Sequence, residues 1–199
     1  MTASCRARLE AHKIRSGTCN VSLRAASLLD LRPWKLYAYR KILGMQSDKQ
    51  HQGQIFTIGY GAKSTEDFIA ILAQHYIEFV IDVRSSPYSK YRPEFSRESL
   101  KLSLAKHQIK YVFMGSQLGG RPDDGTCYDQ DGKVDYALLE RRPYFISGIE
   151  RLTKAYVMGY KVCLICSEDK PEECHRSKLI GRVLESHGLS VVHIVSKLR

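Results

Sequence analysis

The sequence lacks several features that would assign it to a known class. It has no apolar run near the roughly 20 residues that a membrane helix needs, and no internal repeat or low-complexity tract. It has no Walker or dinucleotide fingerprint, and its cysteines and histidines match no standard zinc spacing. We therefore expect no membrane partner, and no familiar motif indicates a cofactor.

The composition is that of a globular protein with its own core. In 199 residues, 43% are hydrophobic, so a disulfide scaffold is not needed for stability. Six cysteines are unevenly placed, two of them in the N-terminal segment and two in one apolar run. This pattern predicts a cytoplasmic protein with reduced thiols.

Acidic residues are scarce at the N-terminus. Residues 1–50 hold ten Lys/Arg and three acids, so they carry +7 of the net charge of +10. The segment resembles a targeting peptide or a disordered basic arm, and Met45 is a third possibility as the true start. We expect residues 1–54 to be an unstructured or mis-annotated basic extension and residues 55–199 to be the folded domain.

From Ile55 onward, short apolar runs alternate with segments of helical periodicity. Ser64 and Ser96 stand where helix N-caps are expected, and Gly188 stands where a C-cap glycine is expected. The alternation predicts an α/β fold, a single three-layer domain with a mainly parallel sheet flanked by helices. The predicted strands are 55–58, 79–83, 110–113, 161–165 and 189–195. The predicted helices begin at about residues 65 and 97, then cover 135–160, with a break near Pro143, and 171–187.

Polar residues follow the predicted strands at their carboxyl ends, where parallel α/β sheets bind ligands. The catalytic candidates are Asp82, Cys166 and Glu168. The ligand-binding candidates are Tyr60, Arg84, Arg92, Gly119, Gly120, Arg121 and Arg176.

Asp82 and Arg84 are two residues apart and share a face if the strand continues. One interpretation is an arginine that holds an anion and is oriented by a carboxylate, which also serves as a base. The other is a structural ion pair at the strand end.

Two predicted loops contain residue types that are common in phosphate-binding sites. Residues 84–93 interleave basic and aromatic side chains without an acid, which suits a nucleotide or a single strand of nucleic acid, or else a plain exposed loop. Gly119 and Gly120 offer backbone N–H groups before Arg121, or form an ordinary turn.

The segment CSEDKPEECHR, residues 166–176, concentrates the reactive side chains. Cys166 ends a strand and is either reactive or packed in the core. Counting back along the predicted helix places Arg176 on its apolar side, where it needs Asp82, Glu168 or an anionic ligand as partner. If the helix is regular through residue 174, the same count turns Cys174 away, which disfavours a metal site of Cys166, Cys174 and His175. A later helix start would free both Cys174 and Arg176 from this count.

Together these motifs resemble the domain-of-unknown-function 488 family, which occurs mostly in bacteria and archaea. The resemblance is carried by 57–59 (TIG), 81–84 (IDVR), Pro87, 118–120 (LGG), 166–176 and 193–194 (HI), and covers about 55–195. It implies a compact α/β domain but no cofactor or activity. The matching site positions are Asp82, Arg84, Cys166, Glu168, Cys174, His175 and Arg176. The chain departs from the family at Tyr60 and Gly61, where Gly-His-Ser is common, so a mechanism that needs that histidine is in doubt.

Three functional hypotheses follow. The first is an enzyme-like domain that binds an anionic, phosphate-bearing or nucleotide-type ligand, held by Arg84 and Arg176. The second is a non-catalytic module that binds nucleic acid or protein through residues 84–92. The third is a metal-binding protein that uses Cys166, Cys174 and His175.

Overall fold

The computed structural model describes residues 53–195, which form a five-stranded sheet with helices on both faces. All neighbouring strands are parallel, in the order β3-β2-β4-β1-β5. The strands are β1 (Gln54–Gly59), β2 (Phe79–Asp82), β3 (Lys110–Phe113), β4 (Lys161–Cys166) and β5 (Val191–Ile194). The predicted α/β class with a parallel sheet is confirmed. The predicted extension lies outside the described residues except for its last two, of which Gln54 begins β1.

Six α-helices are found among residues 53–195. They are α1 (Thr65–Gln74), α2 (Arg97–Lys106), α3 (Gly115–Leu118), α4 (Tyr136–Leu139), α5 (Pro143–Val157) and α6 (Arg182–Ser186). Short 3-10 turns cover Pro93–Phe95, Gly125–Cys127 and Pro171–Glu173, and a π-helical turn covers Arg176–Gly181. Within residues 53–195, no helix has both the length and the apolar composition of a membrane span.

The core is divided by the sheet into two apolar clusters. Side chains alternate between the faces of a strand, so Ile55 joins one cluster while Phe56 and Ile58 join the other. Helices α1 and α2 cover the Phe56 face, and α5 and α6 cover the Ile55 face. The sheet is thus the middle of three layers, and its carboxyl edge is left for loops.

The predicted helix ends are partly confirmed. Ser64 caps α1, because its Oγ accepts a hydrogen bond of 3.0 Å from the backbone N of Asp67. Gly188 has φ +80°, as expected for a glycine that ends a helix. Ser96 occupies the N-cap position of α2, but its Oγ pairs with the backbone of Ser89 instead.

The continuous helix predicted for residues 171–187 is wrong. Pro171 opens a 3-10 turn, and Cys174 then takes an extended conformation with φ −112° and ψ 145°. Helical geometry resumes at His175 and passes through the π-helical turn before α6. Because the phase of a helix is lost at an extended residue, side chains before and after Cys174 take directions that a helical count does not predict.

Candidate functional site

The functional residues meet at the carboxyl edge because the strands run in one direction. Gly59 of β1 is paired with Cys166 of β4, and Asp82 of β2 is paired with Ile165 of β4. Strand β4 therefore lies between the two strands that carry Tyr60 and Arg84 just beyond their ends. The structure brings together the polar clusters that follow β1, β2, β3 and β4.

Asp82 and Arg84 form a buried, two-point ion pair. Arg84 donates from Nε to Oδ1 at 2.9 Å and from Nη2 to Oδ2 at 2.6 Å, and its backbone N also donates to Oδ1 at 3.1 Å. Tyr111 donates its hydroxyl to Asp82 Oδ2 at 2.7 Å. Burial disfavours the charged guanidinium, but Asp82 outweighs burial and raises the pKa of Arg84. Burial and the Asp82 charge raise the pKa of Tyr111.

The third guanidinium nitrogen of Arg84, Nη1, takes no part in this hydrogen-bond network. Nη1 is buried and has no hydrogen-bond partner among residues 53–195. The guanidinium carbon lies 5.3 Å from the ring centre of Tyr60, which in turn stacks on Phe95 at 4.4 Å. The aromatic stack supports one face of the guanidinium and keeps it at the sheet edge.

A second cluster joins two thiols, a carboxylate and an imidazole. Glu168 Oε2 lies 2.6 Å from Cys166 Sγ and 3.3 Å from Cys174 Sγ. His175 Nδ1 lies 3.9 Å from Cys166 Sγ and 3.7 Å from Cys174 Sγ. Both cysteines are buried. The expectation that Cys174 points away is wrong, because the extended backbone at Cys174 turns its side chain toward Cys166.

The acidic groups of this cluster have pKa values that are shifted in different directions. Burial opposes ionisation of Glu168, but hydrogen bonds from Cys166, its own backbone, Ser167 and Cys174 lower its pKa to about 2. A hydrogen bond from Cys166 lowers the pKa of Cys174 despite burial, and the same bond together with burial raises the pKa of Cys166. Glu168 is therefore a carboxylate at neutral pH, and Cys174 is the more acidic thiol of the pair.

The imidazole of His175 is fixed from two sides. Its Nε2 lies 3.0 Å from the carbonyl oxygen of Val83, which only accepts hydrogen bonds. Gly120 packs against the ring so closely that a Cβ on it would lie 2.7 Å from Cγ of His175. A side chain at residue 120 would clash with this ring, so glycine at that position allows His175 to take its place in the site.

Arg176 is fully buried, as its position on the apolar helix face predicted. Its partners are backbone carbonyls, with Nη1 donating to Glu168 and Nη2 donating to Asp169 at 2.7 Å. Neither Asp82 nor the side chain of Glu168 is its partner. Arg176 thus holds the loop that carries Glu168.

The remaining candidates lie around this edge. Arg92 is half-buried and donates to the carbonyls of Gly61 and Lys63 and, over 2.6 Å, to Glu94.

Gly119 is in contact with backbone, since a Cβ there would lie 2.3 Å from the oxygen of Gly115. The backbone N of Arg121 donates to Ser85 Oγ at 2.9 Å, and the Arg121 side chain is exposed.

Three further residues, which no sequence motif indicated, belong to this site. Lys63 is buried, pairs with Asp169 and donates to the carbonyl of Gly59 at 3.0 Å. Tyr111 binds Asp82, and Tyr136 is close enough that burial and the charges of Cys174 and Glu168 raise its pKa. The one signal available was the alternation of β3, which places Tyr111 and Phe113 on the same face of the sheet.

A cavity of about 480 Å³ lies elsewhere, among α4, α5 and α6. Glu140, Phe145 and Arg182 are among its lining residues, and no predicted site residue is. We therefore place the candidate site at the carboxyl edge, where the polar groups converge.

The fold and site define an all-parallel α/β domain with a buried Asp–Arg pair beside a Cys–Cys–His cluster. Residues 64–183 match the family model described as Domain of unknown function DUF488, and the chain belongs to that family. The match is narrower than the resemblance in the sequence, because it leaves out β1 and β5, but it includes every matching site position. Searches of curated proteins and of solved structures gave no significant match.

Proposed function

We propose that the domain is enzyme-like and binds an anionic, phosphate-bearing or nucleotide-type ligand at the carboxyl edge of its sheet. The observation that supports this most directly is Arg84, whose Nη1 has no hydrogen-bond partner within residues 53–195 although it is buried. A buried donor left unpaired is costly, and a charge-assisted bond to an oxyanion would remove that cost.

The surrounding charges favour the same ligand. Lys90 is exposed on the loop that follows Arg84, and the backbone of exposed Arg121 is hydrogen-bonded to Ser85. Residues 84–92 contain no acid. Asp82 orients the guanidinium of Arg84. In Arg176, Nη1 and Nη2 already serve two carbonyls, although its buried Nε has no hydrogen-bond partner within residues 53–195. In this proposal Arg84 contacts the anion, and the thiols and Glu168 supply the reactive groups.

The test is the melting temperature of the full chain with inorganic phosphate, pyrophosphate and nucleoside mono-, di- and triphosphates. A ligand at 100 times its Kd adds about 2.7 kcal/mol, which raises Tm by roughly 5–10 °C for a chain of this size. We expect Arg84→Lys to lose this shift and Arg151→Lys, an exposed control on α5, to retain it. If none of these anions raises the Tm of the wild type, the proposal fails.

A second candidate, a non-catalytic module for single-stranded nucleic acid, is favoured by one observation. Tyr88 and Tyr91 are 72% and 88% exposed on the basic loop that follows Arg84. Exposed aromatic rings among basic side chains stack on bases while the cations contact phosphates.

For this candidate we expect Tyr91→Ala to weaken binding of a single-stranded oligonucleotide by about 1–3 kcal/mol, or about 5- to 150-fold in Kd. Tyr76→Ala is the matched control, because Tyr76 is 75% exposed but follows α1 at the opposite edge. Fluorescence anisotropy at several salt concentrations measures both variants. Equal effects of the two variants, or binding that is independent of salt, would exclude the candidate.

A further inference from the structure

We propose that Cys166, Cys174 and His175 form a metal site for a borderline-soft divalent cation, of which Zn²⁺ is the type. Cys166 Sγ, Cys174 Sγ and His175 Nδ1 lie within 4.8 Å of one another. The inference does not rest on the anionic ligand proposed above, because it needs neither Arg84 nor the basic loop. It does assign the two thiols to a metal ion instead of leaving them free to react.

The distances fit a tetrahedral ion. Bonds of about 2.3 Å to sulfur and about 2.0–2.1 Å to nitrogen place the two ligand atoms about 3.5 Å apart in a tetrahedral site. Nδ1 of His175 lies 3.9 Å from Cys166 Sγ and 3.7 Å from Cys174 Sγ. Shifts of a few tenths of an ångström would bring Nδ1 to this spacing from each sulfur, and the two sulfurs lie no more than 4.8 Å apart.

The histidine presents the correct nitrogen. The carbonyl of Val83 accepts from Nε2, so the proton resides there and the Nδ1 lone pair faces the sulfurs. A metal-binding histidine commonly donates its other N–H to a carbonyl or carboxylate in this way, which fixes tautomer and ring orientation. Gly120 against the ring adds a steric restraint.

The backbone explains how neighbours in sequence converge. In a regular helix Cys174 and His175 would diverge by about 100°, but Cys174 is extended and His175 begins the helical geometry. Cys166 enters from the end of β4. The site therefore joins a strand end to the start of the following helix through an irregular spacing that no zinc motif describes.

The donor set selects the kind of metal. Two thiolates and an imidazole favour Zn²⁺-like ions over Mg²⁺ or Ca²⁺, which prefer oxygen. Three protein ligands leave a fourth position of the tetrahedron, and Glu168 Oε2 lies within 3.3 Å of both sulfurs. Glu168 fills that position or holds a water there.

The first experiment measures metal in the full chain, purified without a histidine tag or chelator. We expect one Zn²⁺ or similar ion per chain by elemental analysis. Cys166→Ser, Cys174→Ser and His175→Gln should each lower the metal content to near zero, and His175→Gln retains an amide donor for the Val83 carbonyl. Cys127→Ser is the control, since Cys127 is equally buried but lies beside Arg142. Full metal retention in all three site variants would overturn the inference.

A second measurement uses only the wild type, so it does not require the variants to fold. Co²⁺ added to the reduced, metal-free wild type should give a thiolate-to-metal charge-transfer band and the strong visible absorption of tetrahedral Co²⁺. Zn²⁺ should then abolish both. A wild type that is purified without metal and gives neither band overturns the inference, whatever the anion-binding result.

Discussion

The Asp82→Asn substitution should lower the free energy of unfolding by about 3–5 kcal/mol. The change keeps the shape of the side chain but removes the charge that compensates buried Arg84. The guanidinium would keep its positive charge, because its pKa lies far above neutrality, and would lose the oxygen that now receives Nη2 at 2.6 Å. Tyr111 would lose a charged acceptor as well. Urea unfolding monitored by circular dichroism measures the loss.

A partly exposed ion pair with the same shortest N–O distance is the control for Asp82→Asn. Arg92 and Glu94 are also 2.6 Å apart, but both are partly exposed to solvent. Glu94→Gln should therefore leave the free energy of unfolding almost unchanged. Removing both buried charges, as in Asp82→Leu with Arg84→Met, should restore much of the stability that Asp82→Asn loses. Equal losses for Asp82→Asn and Glu94→Gln would contradict this account.

Replacing Arg176 by methionine should cost about 3–5 kcal/mol, because two charge-assisted hydrogen bonds, each contributing about 1.5–3 kcal/mol, are lost. Methionine fills much of the same volume, so the main loss is that of the bonds to Glu168 and Asp169. The same change should speed amide exchange in residues 167–170, since Arg176 holds that loop. Chemical unfolding and hydrogen exchange with mass spectrometry give the two measurements.

The control for Arg176→Met lies on the next helix. Arg182 is exposed and pairs with Glu140 at 2.5 Å, so Arg182→Met should cost less than about 1 kcal/mol and leave exchange in residues 167–170 unchanged. If the two substitutions destabilise the protein equally, the structural role assigned to Arg176 is wrong.

The local parts of the fold were predictable because they depend on periodicity. Short apolar runs between helical segments identified the five strands, and the two-residue spacing of Asp82 and Arg84 predicted that they face the same way. The parallel arrangement then placed the polar clusters at one edge. Arg176 was correctly placed on the buried face because it follows the point where helical geometry resumes.

The non-local parts were not predictable from the chain alone. Lys63 and Asp169 are far apart in sequence, and only the pairing of β1 with β4 brings them together. The prediction for Cys174 failed because one extended residue, preceded by a 3-10 turn, interrupts the helical phase. No periodic signal in eleven residues distinguishes that interruption from a continuous helix.

The strand order has a consequence for the order of assembly. Strands β1 and β2 are consecutive in the chain, yet β4 lies between them, so β1 has no sheet neighbour until Lys161–Cys166 is available. Contacts of such long sequence separation form slowly because loop closure precedes their gain. During synthesis β1 therefore stays unpaired until most of the domain has been made. Cys166, which ends β4, reaches the carboxyl edge in this same late step, before β5 pairs with β1 and completes the sheet.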